Sequence, residues 1–362
     1  MDTSKKSWKL PISGLTLFAS VMTTLAFVVV IGANFAFERS LKSSPKNVAA
    51  DTKTAVPSDV AAQTQASKPS NVASAGATAV GGAVALAGVA ETKAAASMTA
   101  GIFTPPPESA MPEGEYGKII RLGEQVFNNT GQYAAKYVGN SLNCASCHLD
   151  AGRKPNSAPL WASFIHYPAF RSKTGQVDTL AARIQGCFEY SMNGKAPPQD
   201  DDIMTALQTY AFWLAKGAPV GTPVPGSGYP KLKKPALPPD FVRGAAVYEQ
   251  NCALCHGADG LGQRSGDHQV FPPLWGPDSF NWGAGMHQLG NASGFIQANM
   301  PLGKGGSLSE QEAWDVAMYM NSHERPQDPR YAGSVEATRK KYHDSDDSMY
   351  GRTVNGKVLG AR

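Results

Sequence analysis

Excess charge of one sign is missing from this 362-residue chain: the formal net charge is +4, too mild to argue for a nucleic-acid partner. Cysteine is scarce. Of the five cysteines, four fall into two tight pairs and one is left over, which rules out a disulfide framework as the organising principle. Sustained apolar–polar alternation is absent as well, so the chain does not read as a sheet fold. The longest run free of charged residues is residues 10–37.

That run, Leu10 to Phe37, contains Leu25-Ala26-Phe27-Val28-Val29-Val30-Ile31 and exceeds the roughly 20 apolar residues that cross a bilayer. Lys5, Lys6 and Lys9 precede it. Basic residues on this side predict a cytoplasmic stub (residues 1–9), a transmembrane anchor (10–37) and an exported remainder. The alternative is a cleaved signal peptide. The apolar stretch is longer than the ~7–15 residues of a signal core, and Ala33-Asn34-Phe35 is a poor cleavage site, so an anchor is expected. Residues 38–108 are mostly Ala, Ser, Thr, Val and Gly. Such a composition cannot offset its own ordering entropy and reads as a tether with an r.m.s. reach of very roughly 45 Å.

Two units follow, at 109–218 and 240–346, joined by a connector (219–239) rich in Pro and Gly that fits neither helix nor central strand. Residues 347–362 read as a loose tail. The units form an internal repeat. Each opens with a helical pattern, Gly123 and Phe127 in the first, Gly244 and Tyr248 in the second. Each then carries Cys-x-x-Cys-His: Cys144, Cys147 and His148, then Cys252, Cys255 and His256. Pro159-Leu160-Trp161 and Pro273-Leu274-Trp275 come next, and amphipathic helices at 203–214 and 310–321 close the units. Thiols at i and i+3 form thioethers to haem vinyl groups, and the adjacent His gives iron its proximal nitrogen. A zinc site or a redox dithiol is the competing reading, disfavoured by two copies with His in register. The expectation is an all-α chain of two tandem class I cytochrome c-like domains with two covalent c-type haems. Export agrees with this, because such haems are attached outside the cytoplasmic membrane.

The distal iron ligands are read from loops. In the second unit Met300 lies in Asn299-Met300-Pro301, and His/Met ligation raises the potential of an electron-transfer haem. Its rivals are Met286, His287, Met318 and Met320. In the first unit Met192 and Cys187 compete. Cys187 is either a small buried apolar residue or a thiolate ligand that lowers the iron's potential. Arg183 sits one helical turn before it, if the stretch is helical.

The segment Cys187-Phe188-Glu189-Tyr190-Ser191-Met192-Asn193-Gly194 resembles the thiosulfate dehydrogenase family of dihaem cytochromes. The resemblance spans about Pro112 to Tyr342. It implies that Cys187 binds the first, catalytic haem and that two thiosulfates are coupled there to tetrathionate. Electrons then leave through the His256/Met300 haem to an external acceptor such as a small cytochrome or terminal oxidase. Arg183 matches the family's upstream arginine. Three positions depart from the family pattern: Tyr190 stands where many members carry Arg, Lys173 where an Arg is expected, and Asn299 precedes Met300 where some members place a redox-switched Lys. Paired dianions need fixed positive charge, which makes Arg183, Lys173 and Lys195 candidate substrate residues, and Ser191 a hydrogen-bond donor to a sulfonate oxygen. Location on the periplasmic side of the inner membrane follows from the anchor. A tethered electron carrier and an enzyme for another sulfur anion are the competing functions.

Overall fold

The structure is a computed structural model that describes residues 97–361, apart from residues 100 and 267. The stub, the anchor and residues 38–96 of the tether lie outside the described residues. Among the described residues no helix is long and apolar enough to cross a membrane.

The first unit is built from α1 (Gly114–Asn128), α2 (Leu160–His166), α3 (Leu180–Gly186) and α4 (Asp202–Leu214). In α1, Ile120, Gly123, Val126 and Phe127 are buried, the spacing of one apolar helical stripe. Asp201 caps α4 by accepting the Ile203 N–H at 3.0 Å, satisfying a donor that the helix itself cannot. The second unit repeats the plan with α5 (Phe241–Asn251), α6 (Leu289–Asn299) and α7 (Glu310–Asn321). A reciprocal Ser309–Glu312 cap starts α7.

The opening and closing helices cross at a glycine in both units. A Cβ on Gly123 would stand 2.2 Å from the Ala206 carbonyl oxygen, and one on Gly244 would stand 2.1 Å from that of Asp315. Neither distance is tolerable, so only glycine lets the backbones approach this closely. Aromatic pairs lock each crossing, Phe127 with Tyr210 and Tyr248 with Tyr319.

Three expectations are corrected. Helices form both units as read, yet four two-stranded antiparallel hairpins accompany them among the described residues. The end of the tether is folded: Ser97–Thr99 pairs with Ile102–Thr104, and Phe103 is buried against Trp161 at a ring separation of 5.0 Å. The tail is folded too. After α8 (Val335–Tyr342), Met349, Tyr350 and Leu359 close over Trp282, Leu289 and Trp314 as a third core. Buried aromatics of this size remove 150–250 Å² each from water, which supplies the driving force that a polar, Gly-containing tail otherwise lacks.

Candidate active site

The first cavity collects Cys144, Cys147, His148, Arg183, Cys187 and Met192 on its walls. Thr130 positions the start of the motif: its hydroxyl accepts the Cys144 N–H at 3.1 Å. The Nδ1–H of His148 donates to the Ala158 carbonyl at 2.6 Å. A carbonyl can only accept, so Nε2 keeps the lone pair that a metal requires. Burial lowers the His148 pKa further, holding the ring neutral. This donor set fits a covalently bound haem.

Cys187 begins a wide π-helical turn, Cys187–Ser191, that continues α3. The Met192 N–H closes it on the Cys187 carbonyl at 2.9 Å. Such single wide turns gather at functional sites. Because α3 runs unbroken into this turn, Arg183 does sit one turn before Cys187, and its guanidinium donates to the Cys187 sulfur at 3.1 Å. The sulfur's charge raises the Arg183 pKa above its ordinary value against the opposing effect of burial. A half-buried guanidinium and a polarisable sulfur therefore face the same cavity as the first haem motif.

The second cavity is lined by Cys252, Cys255, His256 and Met300, with Met286 and Met320 also on its wall. His256 repeats the tautomer argument, with Nδ1–H on the Pro272 carbonyl at 2.9 Å. Of the rivals to Met300, Met318 packs against the third core. His287 is buried, hydrogen-bonded to the Ala284 carbonyl and His343, and lines neither cavity. The two cavities share a wall of Leu142, Asn143, Cys147, Phe280 and Met286, so the first motif's second cysteine borders both.

The remaining candidates separate. Ser191 lines the first cavity. Lys173 stands beside it: its ammonium donates to the Gly283 carbonyl at 2.6 Å and lies 3.4 Å over the Tyr190 ring. Burial, reinforced by Arg330 and Arg183, drops its pKa to about 7. Lys195 is exposed and is not on the cavity wall.

Sequence reasoning missed the groups that hold this turn from the second unit. Asn281 donates its N–H to the Tyr190 carbonyl at 3.1 Å and its side-chain amide to the Glu189 carbonyl at 2.8 Å. Asn140 bridges the units, donating to the Ser191 and Ser279 carbonyls. Tyr229, from the connector, reaches the first cavity and meets Phe295 edge-on. A lone aromatic in a Pro/Gly stretch was the one signal available for it.

The comparisons with known proteins agree with this arrangement. The family described as SoxA/TsdA, cytochrome c domain, matches residues 128–220, and that of cytochrome c oxidase, cbb3-type, subunit III, matches residues 239–320. A thiosulfate dehydrogenase of Thiomonas intermedia (strain K12) is 56% identical over 266 residues, 74% of this chain and 85% of the relative. The chain belongs to the thiosulfate dehydrogenase family. One from Stutzerimonas stutzeri (strain A1501) is 52% identical over 270 residues, 74% of this chain and 88% of the relative. The solved structure of a thiosulfate dehydrogenase (TsdBA) from Marichromatium purpuratum, in its as-isolated form, superposes with a TM-score of 0.70 at 51% identity. The match takes in 73% of this chain and 58% of that one. As a thiosulfate dehydrogenase family member with two cytochrome c domains, the protein carries two covalently bound c-type haems.

Proposed function

We propose that the protein oxidises two thiosulfates to tetrathionate in the first cavity, with His148 and Cys187 as protein ligands of one iron and His256 and Met300 as those of the other. The observation that carries this reading is Cys187, which shares a cavity with the first haem motif and takes a hydrogen bond from a half-buried arginine. In the reaction two dianions join through one new S–S bond, two electrons leave and no proton is exchanged. The bound haems supply two one-electron acceptors, lowered in potential by thiolate and raised by thioether ligation.

The chain's own residues handle the charge and the sulfur. Two unit charges 4 Å apart repel by about 4 kcal/mol near a protein surface, so the second anion is admitted only against fixed cations. Arg183 supplies a permanent one, Lys173 with its pKa of about 7 supplies a second in its protonated form, and the Ser191 hydroxyl donates to a sulfonate oxygen. Lys195 acts from outside, as exposed charge that steers anions inward. The Cys187 sulfur can also hold one thiosulfate transiently: an S–S bond forms between the two sulfurs as the two electrons leave, and the second thiosulfate displaces the Cys187 thiolate to give tetrathionate. The same geometry serves tetrathionate reduction when electrons are supplied. We place the protein on the periplasmic side of the inner membrane, tethered through residues 10–37, with an external cytochrome or terminal oxidase taking the electrons.

The test is a steady-state assay of the holoprotein, shown by intact mass to carry two haems. Thiosulfate with an artificial acceptor is expected to give one tetrathionate per two electrons. Inertness towards both thiosulfate and tetrathionate with reduced dye would reduce the chain to an electron carrier. For the second site, Met300→Ala is expected to abolish the long-wavelength sulfur-to-iron charge-transfer band and lower that haem's potential. Leucine at 286 or 320 should leave the band in place. Survival of the band in Met300→Ala would transfer the ligand role to one of those methionines.

A further inference from the structure

Arg330 lies beyond the second unit's closing helix, in neither haem motif, yet it reaches the turn that carries Cys187. Its guanidinium is anchored on Asp328, with Nε donating to Oδ1 at 3.0 Å and Nη2 to Oδ2 at 2.6 Å. The Asp328 side chain is fully buried. His343 also meets Asp328 Oδ2 through Nε2 at 2.9 Å, and its Nδ1 faces Ser348 Oγ and His287 Nε2, both at 3.2 Å. Burial works to raise the Asp328 pKa, but the hydrogen bonds from His343 and Arg330 hold it below its ordinary value. The carboxylate is therefore a permanent, immobile anchor.

From this anchor the guanidinium spreads over two rings, 4.3 Å from the centre of Tyr342 and 5.1 Å from that of Tyr190. Tyr190 belongs to the Cys187–Ser191 turn, and the Lys173 ammonium lies on the same ring. Two cations thus lean on one aromatic side chain, and Arg330 is near enough to act on the charge of Lys173. Without the ring and the Asp328 carboxylate, mutual repulsion would drive Lys173 away from the cavity.

We infer that Arg330 is a positioning residue of the sulfur-anion site: held on Asp328, it packs against Tyr190 and so sets the Cys187 turn and the seat of the Lys173 ammonium. The inference rests on the reading of Cys187 as iron ligand and makes the folded C-terminal segment part of the active site. Arg330 touches no substrate in this scheme. It acts through Tyr190.

The test uses holoprotein carrying both haems and three variants. Arg330→Gln keeps a donor towards Asp328 but loses the charge, Arg330→Lys keeps the charge, and Tyr190→Leu removes the ring while sparing the Arg330–Asp328 pair. Arg330→Gln and Tyr190→Leu, each of which removes two cation–π contacts, are expected to raise the KM for thiosulfate about tenfold or more. Both should broaden the paramagnetic resonance signature of the first haem and leave that of the second unchanged. Arg330→Lys should restore most of the loss. If KM and the first-haem signature stay at wild-type values in Tyr190→Leu, or if it disturbs both haems alike, the inference is overturned. That variant decides the matter should Arg330→Gln fail to load its haems. Cys187→Ala run in parallel separates the two readings. An unchanged first-haem signature there sinks the ligand assignment and this inference together. A changed one, with Arg330→Gln and Tyr190→Leu silent, sinks the inference alone.

Discussion

Replacing Cys187 by alanine or methionine is expected to eliminate thiosulfate turnover, by on the order of a thousandfold or more, while both haems stay attached. The four thioether sulfurs come from Cys144, Cys147, Cys252 and Cys255, so haem loading does not depend on this residue. On the proposed ligation, what the variants lose is a thiolate on the first iron and the sulfur that would hold one thiosulfate. A thiolate pushes electron density onto iron and holds its potential low; a thioether does the opposite. Cys187→Met should therefore raise the first haem's potential. Cys187→Ala should do so as well if the buried Met192, on the same cavity wall, is recruited to iron. Potentiometric titration beside the steady-state assay reads both effects. Wild-type activity in the two variants would leave Cys187 as a packing residue and remove the basis of the dehydrogenase mechanism.

Arg183→Met should cost nearly as much, about a hundred- to a thousandfold in kcat/KM, the range seen when a preorganised donor to a developing charge is removed. The guanidinium donates to the Cys187 sulfur, so on the proposed thiolate ligation its loss leaves a half-buried anion without its counter-charge. It also withdraws positive charge from the path of the second dianion. Arg183→Lys is expected to recover only part of the activity, because a point charge on a flexible stem does not reproduce a planar fork. Thiosulfate KM should rise in both variants, with the second haem's spectrum unaltered. Equal activity in Met and Lys variants would show that charge at position 183 is irrelevant to the reaction.

The haem motifs were legible because their parts are local. Two cysteines three apart with a following histidine carry their meaning within five residues, and Arg183 precedes Cys187 by four, a spacing that became one helical turn only once the structure showed the stretch to be helical. The closing helices were readable for the same reason, since an apolar stripe at helical spacing is a short-range property. Gly123 and Gly244 were visible as matched positions in the repeat. Their purpose, a backbone crossing with no room for a side chain, was not.

Chain order alone therefore determined the two haem motifs, the repeat and the fifth cysteine on which the proposed mechanism rests. The tertiary structure alone decided what surrounds them. It folded residues 97–104 onto Trp161, turned a presumed tail into a third core and brought Tyr229 out of the connector into the first cavity. It also carried Asn281 and Arg330 to the Cys187 turn and left Lys195 in solvent. These are contacts between residues far apart in the chain, made by burial and by pairing of charge with aromatic rings. Neither leaves a periodic trace, because such energies depend on distance in space and not on separation along the sequence.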